Sequence, residues 1–342
     1  MKTPTIYKFK KISLLLFTVF VGIHVSHSQD TTYVDEIDFF DTSKVQWVNQ
    51  IPPLQQDTKQ HQKGWLKRLL FGNNDILGLQ KPVLAIPANA TSSIILDQGN
   101  GTLFIAEDDK LSIPKIVRKQ NGNFTSLVGG CLLPNNDLLF TDSRLESIFI
   151  LSENLKSIGL LNDSLQLKQP TGIAYLTAKN QIWVVETGAH QISILDSQGN
   201  RIKTIGQRGN GKGEFNYPTS IWIDKKGTAY VVDALNYRIQ LFDLAGNFLS
   251  MFGENGNGTG FFASPKGIAT DSYGNIYVVD ALFHGVQIFD ATGNYLYQFG
   301  KQGRETGEFW MPSGIFIDEQ DIIYVADSYN ARIQIFKLNF IE

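Results

Sequence analysis

The sequence predicts an all-β fold, a β-propeller with six four-stranded blades. Four copies of one motif fill the C-terminal half and begin at Pro170, Pro218, Pro265 and Pro312, so that the prolines are spaced by 47 or 48 residues. A fixed period of this length is typical of solenoids and propellers. Each copy consists of short β-branched and aromatic runs separated by turn residues, without helical periodicity. Four strands at this period correspond to one propeller blade.

The copy that begins at Pro218 shows the four strands most clearly, because Gly, Asp and Asn residues separate its apolar runs. A glycine cluster precedes each of the later prolines, and the first of these, residues 206–213, follows a strand but opens no helix. We therefore expect turns between blades there rather than a phosphate-binding loop, with Phe215, Phe262 and Phe309 packed between neighbouring blades. The four strands are Ile221–Ile223, Ala229–Val232, Ile239–Phe242 and Phe248–Phe252.

The copy from Pro312 to Phe336 nearly meets the frame P-x-G-I-x-x-D-x-x-G-x-x-Y-V-x-D-x-x-N-x-R-I-x-x-F and therefore resembles an NHL repeat. Asp321 replaces the turn glycine of that frame, and two other copies have Ala189-His190-Gln191 and Phe283-His284-Gly285 in place of Asn-x-Arg. The segment from Val278 to Asp290 is similar to the late blades of secreted bacterial NHL propellers. The resemblance implies a six-bladed propeller in an envelope or periplasmic setting, and it says little about the partner.

Two weaker copies precede Pro170 and bring the number of blades to six. In the first copy, Ser93–Asp97 and Thr102–Glu107 match the first two strands, and Leu132–Asp142 begins the second copy. The last copy of the motif ends before its fourth strand. Because Trp65–Gly72 resembles a fourth strand, including the closing Phe-Gly, we expect this N-terminal strand to complete the C-terminal blade and close the ring.

The N-terminus has the pattern of a secretory signal peptide. Lys10 and Lys11 precede an apolar run over residues 12–25, and Ser26-His27-Ser28 supplies small residues before a cleavage site. The run is shorter than a comfortable membrane span, and an uncleaved anchor is the alternative. We therefore expect an exported protein, periplasmic or secreted, with no membrane span in the mature chain. The predicted segments are 1–28 as signal peptide, 29–63 as a polar N-terminal arm or linker and 64–342 as the propeller.

The charge balance argues against a nucleic-acid partner. Removing residues 1–28 takes away four lysines and no acidic residue, which makes the formal net charge −7 instead of −3. Proteins that bind DNA or RNA usually present a basic face. Cys131 is the only cysteine, so an intramolecular disulfide is impossible.

Each copy of the motif ends its second strand on an acidic residue. The connections from second to third strands lie on one face of a propeller, so we expect these six carboxylates around the mouth of the channel on that face. They would form either a cation site, because hard cations take oxygen ligands, or a set of structural acids that accept backbone N–H groups or pair with Arg238 and Arg332. Repetition in every blade favours the structural interpretation. The six are Glu107, Asp142, Glu186, Asp233, Asp280 and Asp327.

Histidines are too few for the metal chemistry known on this scaffold. NHL-type propellers include peptidylglycine lyases, and that resemblance implies a metal site with several histidines, an Arg and a Tyr. Only His190 and His284 lie in the predicted blades. The sequence also lacks a nucleophile elbow, a P-loop and an HExxH motif. We therefore predict no catalytic residue and no cofactor, with a bound divalent cation as the alternative.

The connections on the mouth face carry apolar, aromatic and Arg residues, which either suit recognition of a protein or peptide or pack one blade against the next. The predicted function is an exported protein- or peptide-binding scaffold in the cell envelope. The alternative is a metal-dependent lyase or lactonase that uses the channel-mouth carboxylates, and RNA binding is disfavoured by export and acidity. The candidate binding residues are Arg144, Tyr237, Arg238, Phe283, His284, Tyr329 and Arg332, with Leu235 and Leu282 beside them.

Overall fold

The computed structural model describes residues 44–54, 78–89, 91–108, 110–119 and 124–339. These residues form six antiparallel sheets of four strands each, as the sequence predicts. One short helix, α1 (Lys115–Lys119), lies between the first two blades. The predicted signal peptide and most of the predicted arm lie outside the described residues.

The strands follow the repeat along the chain. They are β1 (Val45–Ile51), β2 (Pro82–Pro87), β3 (Ser92–Asp97), β4 (Thr102–Glu107), β5 (Lys110–Ser112), β6 (Leu127–Leu132), β7 (Leu138–Asp142), β8 (Ser147–Leu151), β9 (Ile158–Leu160), β10 (Pro170–Leu176), β11 (Gln181–Glu186), β12 (Gln191–Leu195), β13 (Arg201–Ile205), β14 (Pro218–Ile223), β15 (Ala229–Asp233), β16 (Arg238–Phe242), β17 (Phe248–Phe252), β18 (Pro265–Thr270), β19 (Ile276–Asp280), β20 (Gly285–Phe289), β21 (Tyr295–Phe299), β22 (Ile315–Ile317), β23 (Ile322–Asp327) and β24 (Arg332–Leu338).

Blades one to five each consist of four consecutive strands, beginning with β2, β6, β10, β14 and β18. Blade six has the order β22, β23, β24 and β1 from the inside outward. Residues of the first strand of every blade, or just before it, line the central channel. We call the face that carries the connections from second to third strands, and from each blade to the next, the mouth face. The other turns lie on the opposite face.

An N-terminal strand closes the ring, and this prediction is confirmed. The closing strand is β1, which pairs antiparallel with β24, so that Val45 lies opposite Leu338 and Ile51 lies opposite Ile333. The segment Trp65–Gly72, which the sequence suggested for this role, lies outside the described residues. An outermost strand needs only an extended segment that can reach β24. The propeller therefore begins inside the segment 29–63 that the sequence assigned to an arm.

Blade one differs from the sequence interpretation by one strand. Asp97 lies opposite Pro82, as Asp233 lies opposite Pro218 in blade four. The first strand is thus β2, and β3 and β4 are the second and third strands. The sequence placed them one position too early because the copy is short and its apolar runs resemble one another.

Six apolar clusters hold the ring together, one between each pair of neighbouring blades. Phe215, Phe262 and Phe309 are fully buried at three of these interfaces, as predicted. The glycine of the P-x-G-I motif lets adjacent first strands approach closely. A Cβ atom on Gly314 would lie 2.1 Å from the carbonyl oxygen of Val83 in the neighbouring blade.

Buried hydroxyl groups form a second kind of link between blades. Thr187 Oγ1 lies 2.7 Å from Thr171 Oγ1 and donates to the Pro218 carbonyl in the next blade at 2.6 Å. Blade six repeats this bridge, because Ser328 Oγ lies 2.7 Å from Ser313 Oγ and donates to the Pro82 carbonyl at 2.7 Å. The second bridge joins the last blade to the first and reinforces the closure.

Blade four has lost one half of this bridge. Thr219 occupies the position of Thr171, but Ala234 stands where Thr187 stands in blade three, and the buried Thr219 hydroxyl has no hydrogen-bond partner among the described residues. Replacing Ala234 with serine is expected to supply that partner and to raise the free energy of unfolding by about 1 kcal/mol. Urea unfolding followed by tryptophan fluorescence measures the change.

Ala281→Ser in blade five is the matched control for this prediction. There the neighbouring position is Lys266, which carries no hydroxyl group. By analogy with Thr187 and Ser328, a serine there has only the carbonyl of Pro312 in the next blade as a partner, so the control is expected to gain less free energy of unfolding than Ala234→Ser. An equal gain in both variants, or none in Ala234→Ser, would contradict the role assigned to the bridge.

Candidate functional site

The acids at the ends of the second strands are buried and turned into their own blades. Asp280 is fully buried and accepts hydrogen bonds from the backbone N–H groups of Ala263, Ser264, Leu282 and Phe283. It thereby fixes two connections of the mouth face at once. Hydrogen bonds to the charged form stabilise such a buried carboxylate.

Blade four adds an arginine to the same arrangement. Arg238 Nε donates to Asp233 at 2.8 Å, and both residues are buried. The two terminal nitrogens of Arg238 donate to the carbonyl groups of Asn210, Gly211 and Glu214. Arg238 therefore stabilises the connection between blades and does not face a partner.

Blade six repeats this cluster and links it to the closing strand. Arg332 Nε donates to Asp327 at 2.7 Å, and the guanidinium also donates to the carbonyl groups of Glu305 and Glu308. Its remaining nitrogen donates to the side chain of Gln50 on β1 at 3.1 Å. Burial raises the pKa of Asp327, while the hydrogen bond from Arg332 favours the charged form of this carboxylate.

The other predicted acids do not complete a ring around the mouth. Asp142 is buried and accepts backbone N–H groups. Glu186 is also buried and pairs with Arg201 at 2.9 Å. Glu107 is exposed at the end of a third strand, which places it on the opposite face. The equivalent acid in blade one is Asp97, which accepts the N–H groups of the residues before β2, and the sequence missed it through the shifted register.

Because of these contacts, the buried carboxylate oxygens have little capacity left to coordinate a metal ion. Within the described ranges, no group of three His, Cys, Asp or Glu side chains is placed to hold one. The buried carboxylates already accept several N–H groups from their own blades. Their donor sets therefore do not fit a divalent cation at the channel mouth.

Both blade histidines link neighbouring blades. The Nδ1 atom of His190 accepts the backbone N–H of Tyr217 at 3.0 Å, and that of His284 accepts the N–H of Met311 at 3.1 Å. Burial lowers the pKa of His284, against the opposing effect of nearby acids. An accepting imidazole nitrogen must be unprotonated, so the contact of His284 with the Met311 N–H requires the neutral form of His284. Neither side chain is arranged as part of a metal site.

Only part of the predicted binding face is accessible. Arg144 and Tyr329 are exposed, whereas Tyr237 and Phe283 are half-buried. Several exposed apolar side chains surround the mouth of the channel, and together we call them the mouth rim. Three of these were missed: Leu145, beside the candidate Arg144, and Tyr217 and Trp310, which lie next to the prolines that open blades four and six in segments that the sequence assigned to turns. The mouth rim consists of Leu145, Tyr217, Leu235, Leu282, Trp310 and Tyr329.

Cationic groups accompany the aromatic side chains of the mouth rim. The Arg304 guanidinium lies 4.9 Å from the centroid of the Trp310 ring. The Lys81 amine lies 5.7 Å from the centroid of the Tyr329 ring. Such contacts are attractive, and they place positive charge beside exposed aromatic surface.

The central channel contains a cavity of about 780 Å³, which we call the channel cavity. Its lining extends from Lys81 and Tyr329 on the mouth face to Leu133 and Thr177 on the opposite face. Cys131 also lines it, and burial raises the pKa of this thiol to about 12. The thiol therefore stays protonated at neutral pH.

Trp222 and Phe316 separate the channel cavity from a second cavity on the opposite face, and they line both. Their ring centroids are 5.4 Å apart in an edge-to-face arrangement. Trp222 Nε1 donates to Thr270 Oγ1 at 2.9 Å, which fixes the indole ring. The second cavity measures about 1190 Å³ and has charged residues of both signs in its lining, among them Asp224, Lys225, Lys226, Asp271, Asp318, Glu319 and Asp321.

None of the helices in the described ranges is long and apolar enough to cross a membrane.

Comparisons with known structures identify proteins of similar fold. An auxiliary nutrient binding protein from Bacteroides thetaiotaomicron is 14% identical with a TM-score of 0.60, over 77% of this chain and 70% of that chain. Its counterpart from Bacteroides ovatus is 13% identical with a TM-score of 0.59, over 76% and 69% of the two chains. A virginiamycin B lyase from Staphylococcus aureus is 14% identical with a TM-score of 0.54, over 77% and 98%. At these identities the similarity shows the fold alone.

The sequence itself is similar to one described family. A search of curated proteins gave no match. Residues 161–252 and 269–342 match the family described as 6-bladed beta-propeller, in agreement with the six sheets of the structure. The similarity to this six-bladed propeller family covers those two ranges of the chain.

Proposed function

We propose that the protein is an exported binding module of the cell envelope, which engages a protein or peptide through its mouth rim. The observation that carries this proposal is the grouping of large exposed apolar side chains on one face. Tyr329, Leu282 and Leu235 are 57%, 55% and 50% exposed on connections of three successive blades. Exposed apolar surface of this kind, bordered by polar residues, is typical of interaction sites.

The rim is also held rigidly, which favours recognition. Each rim connection is fixed by the buried acid at the end of its second strand, as Asp280 fixes Leu282. A rigid aromatic side chain loses little conformational entropy when a partner binds. Trp, Tyr and Arg are the residues that most often dominate binding energy at interfaces, and Trp310, Tyr329 and Arg304 supply them here.

The setting of this function is inferred from the N-terminal pattern and from similar folds. Residues 1–28 have the sequence of a secretory signal peptide. Two of the similar structures are named auxiliary nutrient binding proteins of Bacteroides species, which supports a binding scaffold on this fold. The proposed function requires no cofactor and no nucleic acid, and the acidic balance of the chain favours neither DNA nor RNA.

The alternative, a metal-dependent lyase or lactonase, has less support from the geometry. Its carboxylates would have to exchange backbone N–H donors for a cation, as the contacts of Asp280 illustrate. Arg238 and Arg332 would also compete with the cation for the two acids that they already pair with. Binding through exposed side chains needs no such rearrangement.

Site-specific photo-crosslinking in the native cell tests the proposed function. A benzoylphenylalanine is introduced at position 282 or 329 of the mouth rim, and at Tyr273 as the control. Tyr273 is 66% exposed on the opposite face, so it matches the rim residues in exposure. A discrete crosslinked partner is expected from both rim positions and not from position 273. Equal crosslinking from both faces, or none from the rim, would reject the proposal.

Trp310→Ser then measures the energy of the contact with the captured partner. We expect an affinity about tenfold lower, as is usual when an interface aromatic residue is removed. Because Trp310 is only 36% exposed, the melting temperature is measured alongside the affinity and should fall by no more than about 4 °C.

A further inference from the structure

The charges at the channel cavity are all of one sign. Of the described residues that line it, only Lys81 and Lys266 carry a charge, and both lie at the end of the cavity that opens on the mouth face. Acidic side chains are missing from this part of the lining because the acids of the second strands turn into their own blades. The mouth of the cavity is therefore cationic, although the whole chain is acidic.

The two lysines flank blade six. Lys266 follows the proline that opens blade five, and Lys81 precedes the proline that opens blade one. Between them lies Tyr329 of blade six, whose ring is 5.7 Å from the Lys81 amine. Both lysines and the Tyr329 ring line this end of the cavity, so its positive charge favours an anionic group there.

Below the lysines the walls are mainly apolar, with Thr171, Ser220 and Ser313 as polar members of the lining. The first strands contribute Ile173, Ile221, Ile268 and Ile315 to the lining. Trp222 and Phe316 close the cavity on the side of blades four to six. A volume of about 780 Å³ lies within the range of small-ligand pockets, roughly 300–1,000 Å³.

We propose that the channel cavity binds a carboxylate at the end of an apolar chain. The carboxylate lies between Lys81 and Lys266, and the apolar chain extends along the isoleucine walls toward Trp222 and Phe316. This site goes beyond the proposed function, because its ligand enters the channel instead of resting on the mouth rim. The same chemistry comes from two sources: a free aliphatic acid, or the C-terminal residue of a peptide with an apolar side chain.

Isothermal titration with decanoate tests the site, and decyltrimethylammonium serves as the probe with the same chain and the opposite charge. Saturable binding of one decanoate is expected, with affinity at least about tenfold greater than that of the cation. Binding should weaken as salt rises from roughly 50 mM to 500 mM, because part of it is electrostatic. A second titration compares two forms of a hexapeptide that ends in leucine, one with a free C-terminal carboxylate and one with an amidated C-terminus. Tighter binding of the free carboxylate would identify the ligand as the C-terminus of a peptide.

Variants of the two lysines decide between this site and nonspecific uptake. Lys81→Gln and Lys266→Gln are each expected to lower decanoate affinity about five- to tenfold. Lys225→Gln is the matched control, since Lys225 lies on the opposite face in an exposed ion pair with Glu319, and it should leave the affinity unchanged. Trp222→Ala should weaken the binding of decanoate. It should also alter the change in the protein's tryptophan fluorescence that decanoate causes.

Two results would overturn the inference: equal affinity for the anion and the cation, or lysine variants that bind decanoate as the wild type does. Absence of binding by both decanoate and the free-acid peptide would do the same. Leu282 does not line the channel cavity, so photo-crosslinking from position 282 tests the proposed function separately from decanoate binding, and failure of either one gives a different result.

Discussion

Arg332→Ala is expected to lower the free energy of unfolding by about 3–5 kcal/mol, because it leaves a buried charge without its partner. Asp327 is fully buried and accepts from the Arg332 guanidinium at 2.7 Å. The carbonyl groups of Glu305 and Glu308 and the side chain of Gln50 would also lose a donor. Urea unfolding at neutral pH measures the loss.

The pH dependence of this loss in the free energy of unfolding follows from the ionisation of Asp327. Burial already raises the pKa of Asp327, and removing the guanidinium raises it further. An acid with a raised folded-state pKa binds more protons in the folded than in the unfolded protein, so stability falls as pH rises through that range. The deficit of Arg332→Ala should therefore be largest near neutral pH and smaller in mildly acidic solution.

The control for Arg332→Ala is Arg144→Ala, because Arg144 is exposed on the same face. It is expected to change the free energy of unfolding by no more than about 0.5 kcal/mol. A similar effect of both substitutions would mean that the buried cluster contributes nothing specific. An Asp327→Asn variant should reduce the additional cost of Arg332→Ala, since the unpaired charge is then absent.

Val45→Asp is the second large prediction, because it places a charge in the closing strand at a fully buried position. Val45 packs in the apolar cluster between blades five and six and lies opposite Leu338. We expect a loss of about 4 kcal/mol or more, together with aggregation through the exposed edge of β24. Unfolding midpoints and light scattering measure the two effects.

Val48→Asp provides a control on the same strand. Val48 lies at a register shift and is 49% exposed, so the same charge is expected to cost less than about 1 kcal/mol there. Were both substitutions tolerated, β1 would not be required to close the ring.

The repeat made the fold predictable, because the proline spacing and the alternating apolar runs recur in every clear blade. The position of the closing strand was not predictable from the motif. Residues 45–51 form an outermost strand that pairs on one side only, and they lack the closing Phe-Gly by which the repeat marks its fourth strands. Trp65–Gly72 resembled the motif more closely, although a pairing partner is selected by reach and register and not by resemblance.

The candidate site was predicted less well than the fold, and the arginines show why. Arg238 and Arg332 occupy connections on the mouth face, as the sequence indicated, but their guanidinium groups point inward to carbonyl groups of the preceding interblade loop. Sequence position gives the face on which a residue lies and not the direction of its side chain. Exposure therefore separated Tyr329 and Trp310, which are accessible, from the arginines, which stabilise the fold.

The pairing of β1 with β24 also determines where attachments leave the molecule. Asn339 donates its backbone N–H to the Lys44 carbonyl at 2.8 Å, so the two ends of the described propeller stand side by side, away from the mouth face. A linker, label or surface joined at either end would therefore depart from the far side. Protein immobilised in this way would present Trp310 and the mouth rim on the face turned away from the attachment.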